Sequence, residues 1–204
     1  MDSCGGRDVS REKPRIINSP DVAVPSTPAV SEIVIRPSTA VDIDAVTRIY
    51  AWNVLHGSGT FEIEPPDRLE IERRRADVLA KGWPWLVLES AGAVAGYAYA
   101  SPFRPRPAYR FCVEDSVYLD PEALRRGLGR LLLAELCARC EAAGVRQMLA
   151  VIGDSANAAS IAVHRAAGFA PVGTIAAAGW KFDRWLDVVL MQRGLGAAAA
   201  TAPG

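Results

Sequence analysis

The chain has 204 residues, with 23 lysines and arginines balancing 23 aspartates and glutamates, so its formal net charge is zero. Both signs are mixed along the sequence, which excludes the basic footprint needed for nucleic acid or an anionic membrane surface. No apolar run reaches the ~20 residues of a membrane span, and the N-terminus lacks the apolar core of a secretory leader; the reading is one cytoplasmic domain acting on a small molecule.

Pro14, Pro20, Pro25 and Pro28 stand among Ser, Thr, Gly and charges in residues 1–31, and residues 194–204 are nearly all Gly and Ala. Both ends read as disordered, leaving a domain over 32–193. Residues 32–36 read as a strand, and Thr39 is placed to cap a helix carrying Val41, Ile43, Val46, Ile49 and Tyr50 at helical spacing. A second helix follows Pro65-Pro66, with Leu69, Ile71 and Val78 on its apolar side and Gly82 at its end. Residues 85–89 and 93–100 are strands joined by a Ser90-Ala-Gly92 turn, and 111–119 is another strand. A helix over 127–143, a strand over 147–152, a helix over 157–167 and closing strands over 169–175 and 186–192 complete an α/β (α+β) order, with a mixed sheet covered on both faces.

Of the four cysteines, Cys137 and Cys140 form C-x-x-C within the helix that follows the glycines, without a second Cys or His pair at metal spacing. They read as buried, reduced thiols, and no metal is implied.

The informative segment is Leu124-Arg-Arg-Gly127-Leu-Gly129-Arg130, between a strand and an amphipathic helix. Glycines let backbone approach a ligand, and the unpaired amides of a helix start, with the positive end of its dipole, suit a phosphate. Arg125, Arg126 and Arg130 add fixed charge. No G-K-[ST] follows, which excludes a P-loop, and Leu132 stands where a dinucleotide fingerprint needs a small residue.

This turn resembles the acyl-CoA pyrophosphate loop [Q/R]-x-x-G-x-[G/A] of the GCN5-related N-acetyltransferases, with Leu124 departing from Gln or Arg. Asn157 to Phe169, opened by Asn and closed by Gly-Phe, resembles that superfamily's other CoA motif, with His164 where many members have Tyr. A narrower resemblance covers most of 32–193. Val113-Glu-Asp-Ser-Val-Tyr-Leu119 and Ala178-Gly-Trp-Lys-Phe-Asp-Arg-Trp-Leu-Asp187 are similar to the branch of phosphinothricin and methionine sulfoximine or sulfone N-acetyltransferases. The resemblance implies the GCN5-related N-acetyltransferase fold, with a mostly antiparallel central sheet, acetyl-CoA as co-substrate, and a homodimer acting on the α-amino group of a small amino-acid substrate. It further implies that acetyl-CoA lies along Val117, Tyr118 and Leu119, across Arg125, Arg126, Gly127, Leu128, Gly129 and Arg130, and against Asn157 and Ser160.

Alternation along a strand puts Glu114, Ser116 and Tyr118 on one face and Val113, Asp115, Val117 and Leu119 on the other. An α-amino group with a pKa near 8 is only about one-tenth free base at pH 7, so acetylation needs a proton acceptor. Glu114 is the candidate base, directly or through a water, because partial burial lifts a carboxyl toward the working range. His164 is a candidate acid for the leaving thiolate, a candidate partner in the base role, or a structural imidazole. Cys112 shares the face of Glu114 but carries no mark of activation, so transfer is read as direct. Arg104, Arg106 and Tyr109 before that strand, with Phe61 and Tyr118, are the candidate amino-acid contacts. Arg suits carboxylate and phosphinate oxygens, and the branch has basic residues and a Tyr at these positions. The alternatives are another amine (a protein N-terminus, a polyamine or an aminoglycoside) and a CoA-binding module without catalysis.

Overall fold

The computed structural model describes residue 1 and residues 33–203, and the expectation for 2–31 lies outside them. From Ile33 onward the elements follow the expected order: β1 (Ile33–Pro37), α1 (Ile43–His56), α2 (Arg68–Ala80), β2 (Trp85–Ser90), β3 (Ala93–Pro102), β4 (Cys112–Leu119), α3 (Leu128–Ala142), β5 (Gln147–Gly153), α4 (Ala158–Ala166), β6 (Ala170–Lys181) and β7 (Arg184–Gly194). The sheet order is β1-β2-β3-β4-β5-β7-β6, antiparallel everywhere except between β4 and β5.

Local chemistry sets the helix starts. The Asp42 carboxylate accepts from the Thr39 amide (2.6 Å) and hydroxyl (3.0 Å), closing a 3₁₀ turn that leads into α1. Asp67 Oδ1 accepts from the Glu70 amide (2.8 Å) and caps α2 just after the two prolines. On one face of the sheet α3 and α4 bury Leu128, Leu132, Leu133, Leu136 and Phe169 against Leu86, Ala98, Val113 and Met148. On the other, α1 and α2 cover Trp85, Val87 and Tyr97 with Ile43, Val46, Ile49 and Ile71.

Two boundaries differ from the sequence reading. The closing hairpin runs through Lys181 and Arg184 instead of stopping at 175 and resuming at 186, because β6 absorbs its Ala-rich stretch in a register shift between Ile175 and Gly179. Phe182 and Asp183 then turn the chain with φ of 54° and 55°, the two-residue geometry that matches strand twist. At the other end, Gly194 finishes β7 and Leu195 is buried, its amide donating to Arg146 O (3.0 Å). Arg146 reaches Thr201 Oγ1 (2.9 Å), so the described part of 194–204 is hydrogen-bonded to the domain.

Cys137 and Cys140 are buried free thiols, pushed up to about 11 and about 12 by burial.

Candidate active site

The parallel pairing of β4 with β5 ends at Glu114 and Leu149, although β5 stays paired with β7 as far as Gly153. Beyond that point β4 and β5 part, and two cavities open beside the gap. One, of about 470 Å³, is lined by Glu114, Asp115, Ser116 and Tyr118 of β4, Gly57 to Gly59 after α1, Asp154 and Arg184. The other, of about 380 Å³, is lined by Leu119, Arg125, Gly127, Leu128, Gly129 and Arg130. Asn53, Val117, Asn157, Ser160 and His164 line both, so the cavities meet on a shared wall.

The second cavity is built on the glycine turn. Gly127 caps α3 in the left-handed region (φ 77°), where a side chain is strained. The first helical bonds run from the Arg130 (3.2 Å) and Leu131 (3.4 Å) amides to Gly127 O, which leaves the Leu128 and Gly129 amides at the helix end. A Cβ on Gly129 would meet only Leu119 Cδ1 at 3.5 Å, an ordinary contact. The fold therefore does not need glycine at 129, whereas a ligand approaching the backbone does. Asn157 caps α4 by accepting from the Ser160 amide (3.1 Å), and its Nδ2 donates to Gly153 O (3.1 Å), tying that helix to the end of β5.

In the first cavity, burial and then the neighbouring Asp115 charge push Glu114 up to about 7, with the Arg104 guanidinium pulling the other way. This carboxyl titrates where an amine base must. Burial holds the Tyr118 phenol well above its ordinary range, so it keeps its proton. Burial also raises the Cys112 thiol, the opposite of what a nucleophile needs. His164 is buried, with Nδ1 2.8 Å from Ser160 O and Nε2 2.9 Å from Asp115 Oδ2. Burial alone would lower its pKa, but the hydrogen bond and charge of Asp115 outweigh that and raise it.

Of the residues singled out from the sequence, Glu114, Val117, Tyr118, Leu119, Arg125, Gly127, Leu128, Gly129, Arg130, Asn157, Ser160 and His164 line one cavity or both. Tyr118 belongs to the Glu114 side alone, packed edge-on to Tyr50 (5.0 Å) and stacked with Tyr97 (5.3 Å). Arg126 is elsewhere: it donates to Ser90 Oγ (3.1 Å) and lines a separate cleft with Arg48 and Asp120. Arg104, Arg106 and Tyr109 are exposed on the segment before β4 and line neither cavity, although the charge of Arg104 reaches Glu114. Phe61 lies beside the first cavity, its ring against Gly153 and Gly179, where any side chain would collide with it.

Four lining or supporting groups escaped the sequence reading. Asn53 Nδ2 bridges α1 to β4 through Leu119 O (3.2 Å). Arg184 pairs with Asp154 (2.7 Å) at the cavity wall. Lys181 is buried and donates to Gly57 O (2.9 Å) and Thr60 O (2.8 Å), pinning the cavity loop from the closing hairpin. Asp115 shares its strand face with Val113, Val117 and Leu119, and there it meets His164. Only the Ala178–Asp187 wording pointed toward the hairpin groups, and nothing local pointed to Asn53.

Known proteins share both the sequence and the fold of this chain. A phosphinothricin N-acetyltransferase of Alcaligenes faecalis is 51% identical over 162 residues, covering 79% of this chain and 82% of its own. An L-methionine sulfoximine/L-methionine sulfone acetyltransferase of Salmonella typhimurium is 37% identical over 169 residues, covering 81% and 96%. The crystal structure of a GNAT superfamily phosphinothricin acetyltransferase from Sinorhizobium meliloti in complex with acetyl-CoA superposes with a TM-score of 0.82 at 48% identity, over 84% of this chain and 93% of that one. Residues 47–169, from α1 through the glycine turn to the Gly-Phe after α4, match the model of the Acetyltransferase (GNAT) family, and the chain belongs to that family.

Proposed function

We propose that the protein transfers the acetyl group of acetyl-CoA directly to the α-amino group of phosphinothricin-like amino acids, with Glu114 as general base. The observation that carries this reading is the junction itself: a carboxyl titrating near 7 lines a cavity that shares a wall with a cavity built on a glycine turn. The names of the relatives support the choice of amine and donor. The donor supplies an acetyl thioester. The Leu128 and Gly129 amides with Arg125 and Arg130 hold its phosphates, and Val117, Asn157 and Ser160 lead its arm to the gap between β4 and β5. Glu114, ionised at and above pH ~7, takes a proton from the ammonium, directly or through a water, and the freed lone pair attacks the thioester carbonyl; the tetrahedral intermediate collapses with its C–S bond broken, and CoA leaves as a thiolate that takes up the second proton shed by the nitrogen. Arg184, which lines this cavity, and Arg104, whose charge reaches Glu114, are suited to the acidic groups of the substrate.

A homodimer belongs to the proposal. One edge of the sheet is β6, and the β6–β7 hairpin exposes Val172, Ile175, Trp180, Phe182 and Trp185, a patch suited to a second copy. Among the described residues no helix is long and apolar enough to cross a membrane. The cytoplasm is the compartment we assign.

The test is an acetyl-CoA-dependent thiol-release screen over phosphinothricin, methionine sulfoximine, methionine sulfone, ordinary amino acids, a polyamine and an aminoglycoside. The glutamate-like and methionine-like inhibitors should lead in kcat/KM. Preference for the polyamine or aminoglycoside overturns the substrate assignment.

A further inference from the structure

His164 sits on the wall shared by the two cavities, and both of its ring nitrogens face acceptors. Ser160 O is a carbonyl and can only accept, so Nδ1 at 2.8 Å must carry a hydrogen. Asp115 Oδ2 lies 2.9 Å from Nε2, and the hydrogen bond and charge of this carboxylate raise the ring's pKa, so Nε2 carries a hydrogen as well. Both nitrogens are then donors, and the ring is an imidazolium.

The surroundings leave this pair to itself. The two side chains are 7% and 2% exposed. Phe169 closes over the ring edge-to-face at 5.1 Å. The titratable groups around the pair are Glu114 on β4 and, from α3, the neutral thiols of Cys137 and Cys140, with Arg193 of β7 acting on Cys137. Among the described residues Asp115 Oδ1 is buried without a hydrogen-bond partner, and His164 is the only side chain there that pairs with this carboxylate.

We propose that Asp115 is a positioning residue that keeps His164 doubly protonated, and that the resulting ion pair pins α4, with its Asn157 and Ser160, to the catalytic strand β4. His164 then has no free lone pair with which to accept the substrate's proton. Of the two candidates for the base, Glu114 acts alone, a conclusion that rests on and sharpens the acetyltransfer reading. The pair also fixes the charge beside Glu114. Neutralising Asp115 removes a like charge next to that carboxyl, so the acid limb of the rate profile moves to lower pH.

The chain contains only His56 and His164, so ¹⁵N-labelled His56→Gln protein reports one imidazole. Its ring nitrogens should keep the imidazolium pattern through pH 7 and titrate above 6.5. With Asp115→Asn added, the midpoint should fall below 6.5, because burial remains and the compensating charge is gone. In the Asp115→Asn enzyme, KM for acetyl-CoA should rise about ten-fold as the shared wall loosens, with a smaller change in amine KM, and the acid limb should shift downward. His164→Gln alone should be more damaging to folding than the Asp115→Asn/His164→Gln pair, since the single change strands a buried carboxylate. A neutral ring at pH 7 without the Asp115 substitution, or a midpoint indifferent to it, overturns the ion pair. Unchanged KM and pH profile in Asp115→Asn overturn the positioning role. If the wild type releases no thiol from acetyl-CoA with any amine, the proposed function fails, and the ring titration still decides the pair.

Discussion

Replacing Glu114 with Gln separates its chemical role from its structural cost. A carboxyl moved from 4.5 to about 7, chiefly by burial, disfavours its ionised form by about 3 kcal/mol, at 1.36 kcal/mol per tenfold step. The folded state holds this proton more tightly than the unfolded chain, so the term lowers stability as pH rises from about 4.5 to 7 and stays lost above that. Gln removes this liability and leaves volume and hydrogen-bonding shape nearly unchanged. Relative to wild type, Glu114→Gln should gain up to about 3 kcal/mol at pH 8 and almost nothing at pH 4.5, with about 2–4 °C in Tm for each kcal/mol. Its kcat should drop by about 10² to 10⁴, and the residual rate should climb toward the amine's own pKa near 8, where no base is needed. Thermal melts at the two pH values and a kcat/KM profile from pH 5.5 to 9 read both effects. A variant that keeps the wild-type acid limb, or that melts below wild type at pH 8, refutes the argument.

Gly129→Val should raise KM for acetyl-CoA at least ten-fold with little change in Tm, because a Cβ at this position meets only Leu119 Cδ1 at an ordinary contact distance; equal effects on both KM values in steady-state kinetics would remove the phosphate assignment. Lys181→Met breaks two charged hydrogen bonds that hold the Gly57–Thr60 loop, each worth about 1.5–3 kcal/mol, and should raise amine KM more than acetyl-CoA KM in the same assay. Arg104→Ala removes a charge that favours ionised Glu114, so the acid limb should move to higher pH as phosphinothricin kcat/KM falls, whereas Arg106→Ala should leave the limb in place.

The parts of this molecule legible in its sequence are those whose cause is local. Gly127 needs a left-handed backbone, Thr39, Asp67 and Asn157 cap the turns they precede, and period-2 alternation put Glu114, Ser116 and Tyr118 on one face, where they line one cavity. What escaped depends on partners far along the chain. Asp115 looks like a core residue because Val113 and Val117 share its face, and its meaning lies 49 residues away in His164. Arg126 sits beside the glycine turn in sequence yet is drawn to Ser90 on the β2–β3 turn. The strand read from the sequence stops at 175, but pairing with β7 resumes at Gly179 after a register shift and brings Lys181 to the cavity loop.

The central claim is that the glycine-turn cavity and the Glu114 cavity are the donor and acceptor halves of a single site. A crystal structure of Glu114→Gln with CoA and phosphinothricin tests it most directly. The account predicts the diphosphate on the Leu128 and Gly129 amides, the thiol at the wall formed by Asn53, Val117, Ser160 and His164, and the substrate amine about 2.6–3.2 Å from the residue-114 side chain or one water away. A diphosphate bound away from Gly127, or an amine on the far side of β4 from residue 114, would contradict it.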